Sequence, residues 1–120
     1  MKDFRNLKVW QKAHNLTLAL YKLTTRFSKD ELYGLASQIR RARVSLPANI
    51  AEGCGRRTDR ELCQFLVISL GSASELEYYL LLSRELGFVT NTDHDQLAGD
   101  LTEVKKMLNA FIQRLIAKSQ

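Results

Sequence analysis

Proline is almost missing from this 120-residue chain, and Pro47 is the single instance. Cysteine is scarce too. Cys54 and Cys63 are the only two, and with His14 and His94 remote in sequence nothing has metal-ligand or disulfide-framework spacing. Both are expected to be free thiols. Strand-like alternation, Gly-rich linkers, repeats and low-complexity tracts are all lacking, and no continuous apolar run approaches the ~20 residues that span a bilayer. A disulfide-stapled fold and a string of domains are thereby excluded, and one domain over residues 1–120 is expected from the length. The opening segment MKDFRNLKVWQKAH is charged and carries no signal-peptide apolar core, so the expected location is the cytoplasm.

Signatures of catalysis are equally thin. Glu75 and Glu77 project to different faces of a helix, no Ser/His/Asp or Cys/His set converges, and no phosphate loop is present. The Glu-x-x-His spacing of a bundle-core metal site is missing as well. A non-enzyme without metal or cofactor is the expectation.

What the chain does have is helical period. Val9, Ala13, Leu16, Leu20, Leu23 and Phe27 recur at four-three spacing, which predicts a helix from about Phe4 to Phe27. Beside that stripe runs a strip of Trp10, His14, Thr17 and Tyr21, read either as a second contact surface or as a widening of the core. SKDE, Ser28 to Glu31, reads as a capping box opening a second helix with Leu32, Leu35, Ile39, Ala42, Leu46 and Ile50 on its core face. Pro47 predicts a kink near residues 43–47, because its ring crowds the carbonyl of Arg43 and it has no N–H to offer. Gly53 and Gly55 are expected to end this helix.

A second capping box, Thr58 to Glu61, opens a third helix that runs to about Leu86, with Gly87 as its C′ residue. Leu62, Phe65, Ser69, Ala73, Leu76 and Leu80 form one stripe, yet Val67, Ile68, Leu70, Leu81 and Leu82 make it apolar nearly all round. Such a helix is buried on more than one side, here expected against another copy of the chain. The fourth helix, capped by Asn91 or Thr92, repeats Leu97, Leu101, Val104, Leu108, Phe111 and Leu115. Short loops between long helices predict an all-α, antiparallel up-down-up-down four-helix bundle, associating as a homo-oligomer.

Charge is distributed unevenly along that bundle. Residues 1–29 carry seven Lys/Arg against one Asp, net +6; residues 40–60 six Arg against Glu52 and Asp59, net +4. Residues 61–103 hold one Arg against eight acids, net −7, and 104–120 return to +4. A basic half suggests an anionic partner. Arg40, Arg43, Arg56, Arg57 and Arg60, with Lys8, Lys12, Lys22 and Arg26 on the first helix, are the candidate nucleic-acid contacts, since Arg grips phosphate with a planar fork. Solubilising charge and intersubunit ion pairs are the plainer reading of the same residues.

A separate polar strip on the second helix, Gln38, Arg41, Ser45, Asn49 and Glu52, lies beside the core. Its expected counterpart is GSASE, Gly71 to Glu75, where Gly71 and Ser72 admit a close backbone. Asn49 is expected to bond carbonyls there, and Arg41 to pair with Glu75 or Glu52 in partial burial, a network that fixes register.

Three stretches, FRNLKVWQKA, ELYGLASQIRRARVSLPANIAEG and LGSASELEYYLLLSRELGF, resemble the four-helix-bundle proteins encoded by intervening sequences in bacterial 23S rRNA genes. Accessory variability proteins of diversity-generating retroelements are related to that family. The resemblance implies a homopentameric, ring-like barrel without known catalysis, whose accessory members use a basic surface to engage nucleic acid and a reverse transcriptase. Trp10 matches the first motif; Arg40, Arg41, Ser45, Pro47, Asn49, Glu52 and Gly53 match the central one. With Tyr21, Gln38, Gly71, Ser72 and Glu75, they form the expected assembly or structural network. The chain departs from the family at Ser28, where Pro often stands, and at Arg43, where a small apolar residue is usual. The expected partners are therefore the chain itself, RNA or DNA, and a possible polymerase, with no membrane.

Overall fold

The computed structural model describes residues 2–31 and 34–118. Four helices carry the chain: α1 (Lys8–Thr24), α2 (Leu35–Cys54), α3 (Asp59–Glu85) and α4 (Asn91–Lys118), with 3₁₀ turns at Phe4–Asn6 and Lys29–Glu31. Each packs on its chain neighbour and α1 closes against α4, giving an antiparallel bundle of 48 × 22 × 20 Å.

The predicted stripes meet along its axis. Val9, Ala13, Leu16, Leu20 and Leu23 of α1, and Leu35, Ile39, Ala42, Leu46 and Ile50 of α2, are all buried. So are Leu97, Leu101, Val104, Leu108, Phe111 and Leu115 of α4. Each fully buried Leu or Ile contributes about 1.5–3 kcal/mol, so the set outweighs any single polar contact described below. Leu32 lies outside the described residues. On α3 the stripe is Leu62, Leu66, Ser69, Ala73, Leu76 and Leu80. Phe65 is only half-buried, its ring lying under the Arg56 guanidinium at 4.7 Å.

Helix ends depart from expectation where short-range bonds compete. Asp3 accepts the N–H of Arg5 at 3.0 Å and caps a 3₁₀ turn; extended Leu7 then interrupts the chain, so α1 begins at Lys8 rather than Phe4. Beyond Thr24 the chain tightens, with the Phe27 N–H bonding the carbonyl of Thr24, and Phe27 packs on Phe88 from outside the helix. The SKDE segment also makes a 3₁₀ turn, in which the Glu31 N–H bonds the backbone carbonyl of Ser28; α2 starts only after Gly34. Thr90, not Asn91 or Thr92, caps α4 by accepting the Asp93 N–H at 3.1 Å.

Other signals read as expected. The Thr58 hydroxyl accepts the Glu61 N–H at 3.1 Å. Gly87 takes φ +83°, its N–H bonding Arg84 and that of Phe88 bonding Ser83, the paired bonds of a Schellman stop. Gly53 is different, since α2 continues through it to Cys54. A Cβ there would stand 2.9 Å from both Leu62 Cδ1 and Phe65 Cβ, so this glycine allows α2 and α3 to close together.

α2 also continues through Pro47. The carbonyl of Arg43, which loses its helical donor to the proline ring, instead accepts the hydroxyl of Thr17 on α1 at 2.8 Å. By length and composition α3 is apolar enough to cross a membrane, although no unbroken apolar run signals it; within this bundle its inner stripe packs as a core helix.

Candidate nucleic-acid interface

The polar strip of α2 does face α3, through different bonds from those its sequence suggests. Ser45 and Ser72 share a hydrogen bond of 2.7 Å across the helices. Asn49 stays on its own helix and donates to the Ser45 carbonyl and hydroxyl at 2.8 and 2.9 Å. An amide one turn below Ser45 reaches that local acceptor pair without crossing, which leaves Gly71 idle: nothing lies within 4 Å of a Cβ placed there. Ser69, buried, donates to the Leu46 carbonyl at 2.6 Å and ties α3 to α2 a second time, at the residue just before Pro47.

Further along, Arg41 pairs with Glu75 at 2.5 Å, and the Tyr79 hydroxyl donates to the same carboxylate at 3.1 Å. The Arg41 hydrogen bond pulls the Glu75 carboxyl below its usual range. Gln38 joins by accepting from Arg41 at 3.3 Å. Both charged side chains are about half exposed, so this is a surface network rather than the partly buried one expected. Glu52 stands apart from it, bound to Arg56 at 2.7 Å. Trp10 stacks on His14 with ring centroids 4.8 Å apart while also packing against the core, and Tyr21 remains exposed.

The candidate cations sort by what already holds them. Lys12 is paired with Glu103, Arg26 with Asp93 at 3.5 Å, and Arg56 with Glu52. Arg43 is not on the open surface at all. It is 4% exposed, its guanidinium lies over the Tyr21 ring at 4.4 Å, and Nη1 donates to Thr24 at 2.7 Å. Helical projection places it beside Arg40, but α1 covers that side. Lys8, Lys22, Arg57 and Arg60 are exposed and have no ion pair among the described residues; Arg40 is exposed too.

Antiparallel packing divides these residues between the two ends of the bundle. One end gathers the start of α1, the α2–α3 turn and the tail of α4. There a shallow cleft of about 100 Å³ is lined by Lys2, Arg56 and Arg57 against the carboxylate of Asp59, and a larger one of about 470 Å³ by Lys2, Lys8 and Arg114. Lys2 belongs to both. It is held in place by its backbone N–H, which bonds the Cys54 carbonyl at 3.0 Å. Sequence does not single out Lys2 and Arg114, which lie in different segments; the net positive charges of residues 1–29 and 104–120 are their only trace.

A third surface is apolar. Val67 and Ile68 of α3 and Ile116 of α4 are 52%, 51% and 42% exposed around a groove of about 520 Å³ that Cys63 and Leu115 also line. Cys54 is buried, and desolvation pushes its thiol pKa up; both cysteines are free.

No curated protein matches the chain at a significant level. A crystal structure of a protein of unknown function from the S23 ribosomal protein family of Bacteroides thetaiotaomicron VPI-5482 is similar. It has a TM-score of 0.82 at 25% identity, over 88% of this chain and 95% of that one. The model of the 23S rRNA-intervening sequence protein family matches residues 5–110. With the match extending from the turn before α1 into α4, the chain belongs to the 23S rRNA-intervening sequence protein family.

Proposed function

We propose that the chain is a non-enzymatic, homo-oligomeric protein of the cytoplasm that holds the phosphate backbone of RNA or DNA at the basic end of its bundle. One observation carries this reading: Lys2 lines both basic clefts, so cations from α1, the α2–α3 turn and α4 form a continuous surface. The first turn of α3 adds backbone N–H groups on the same side. Such a surface reads charge rather than bases, so binding is salt-dependent and weakly sequence-specific. A ring of copies would multiply the patch.

Filter binding of structured RNA over a salt series tests the proposal. The Arg56→Ala/Arg57→Ala/Arg60→Ala variant is expected to bind more weakly, with the salt slope smaller by roughly one for each phosphate that is no longer neutralised. No retention of the unaltered protein at low salt, with no change in the variant, sinks the idea.

The exposed Val67, Ile68 and Ile116 favour a second reading, a homo-oligomeric scaffold for a protein such as a reverse transcriptase or other polymerase. Charge reversal of Lys22 and Arg26, which line neither basic cleft, would then abolish a protein pull-down and leave RNA retention intact.

A further inference from the structure

At the other end of α1 and α2 lies a cavity of about 220 Å³ that the basic clefts do not reach. Its walls include Tyr21, Thr24, Lys29, Ala36, Arg40 and Arg43, with three cations and no carboxylate among the described residues. Arg43 is the unusual member. Its guanidinium is buried without an ion pair among the described residues, and its Nε–H has no hydrogen-bond partner there. Burial of a cation is costly unless an anion or a full set of acceptors meets it. The Tyr21 ring face and the Thr24 hydroxyl supply only part of that compensation. Desolvation and the nearby Arg40 charge both act against the charged form of Arg43.

The surroundings suit an anion. The carbonyls at the end of α1, which would repel one, are covered: Thr24 donates to the carbonyl of Tyr21 at 3.1 Å and Thr25 to that of Lys22 at 2.6 Å. The start of α2, the positive end of that helix, contributes Ala36 to the wall and has no side-chain cap. The volume is below that of pockets for drug-sized ligands, which fits a small oxyanion and not a whole nucleoside.

We infer that this cavity is a phosphate site, in which Arg43 at the wall and Lys29 and Arg40 at the mouth hold a phosphate group by charge-assisted hydrogen bonds. The ligand chemistry is a phosphate monoanion or dianion, supplied either as inorganic phosphate or as the terminal monophosphate of a nucleic-acid strand. The site is separate from the surface proposed for backbone binding, so each can fail without the other.

Isothermal titration with sodium phosphate, at ionic strength held constant with chloride, tests the inference. The unaltered protein is expected to bind, and Arg43→Met to bind at least about tenfold more weakly. Because Arg43→Met could unfold the chain, Lys29→Met/Arg40→Met provides a second variant at exposed positions and is expected to show a similar loss. Arg56→Ala/Arg57→Ala/Arg60→Ala is expected to keep full phosphate affinity. Competition by a 5′-phosphorylated dinucleotide, but not its 5′-hydroxyl counterpart, assigns the ligand to a strand end; failure of both to compete assigns it to free phosphate. Absence of phosphate binding beyond the chloride control overturns the inference, as does equal binding by folded Arg43→Met and Lys29→Met/Arg40→Met.

Discussion

Thr17 on α1 donates its hydroxyl to the carbonyl of Arg43 on α2 at 2.8 Å, the acceptor that Pro47 leaves without a helical donor. The same hydroxyl lies 2.9 Å from the carbonyl of Ala13, which already receives the N–H of its own helix turn, so the Arg43 carbonyl has the greater need. A residue from one helix therefore repairs a defect in the next, and it does so within the central motif.

Thr17→Val keeps the shape and removes the donor. A loss of about 1–3 kcal/mol is expected, the penalty of an unsatisfied buried carbonyl. In a Pro47→Ala background the new N–H supplies the missing bond, so the same change should matter much less. Urea denaturation of all four proteins completes the cycle, and equal losses in both backgrounds would remove the repair explanation.

Gly53 and Gly71 predict opposite signs. Gly53→Ala forces a methyl to 2.9 Å from Leu62 and Phe65, and overpacking should exceed the helix-propensity gain, leaving a net loss of about 1–2 kcal/mol. Gly71→Ala meets nothing and should add about 0.5–1 kcal/mol to the isolated bundle. Thermal melts at low protein concentration read both.

Acid should weaken the Arg41–Glu75 link. Its hydrogen bond lowers the Glu75 pKa in the fold, so the unfolded chain takes up the proton first. The pair therefore favours the fold above the unfolded value of about 4.3, and the benefit disappears as pH falls through the lower folded one. Glu75→Gln should lower the urea midpoint slightly at about pH 7, the pair being half exposed, and the gap to the unaltered protein should close as pH falls through the lowered folded value.

Association through the apolar groove predicts that Val67→Asp/Ile116→Asp yields a 13.7 kDa species in sedimentation with helicity unchanged, where the unaltered chain sediments as a larger one. A single 13.7 kDa species for the unaltered chain at every concentration would end the assembly proposal.

Periodicity locates the core of α1, α2 and α4, because burying one face of a helix imposes a spacing that sequence displays directly; on α3, apolar nearly all round, it picks Phe65 where Leu66 is the buried residue. Helix starts are less legible. At Asp3 a side-chain cap and at Ser28 a backbone bond each close a 3₁₀ turn before the α-helix begins. The candidate site is harder still. Whether Arg43 meets solvent depends on Tyr21 and Thr24 arriving from α1, and whether Lys2 meets Arg114 depends on which ends the topology puts together. For Asn49 the pattern gives the right neighbourhood and the wrong partner, since it specifies a face and not a hydrogen-bond geometry.

The unequal burial of the two cysteines gives the molecule a native labelling handle. Cys54 is sealed away and its thiol resists ionisation, whereas Cys63 opens onto the groove between α3 and α4. In the monomeric Val67→Asp/Ile116→Asp protein a maleimide dye should therefore mark one position per chain, and in the unaltered protein a copy seated in that groove will announce itself as a slowed alkylation rate.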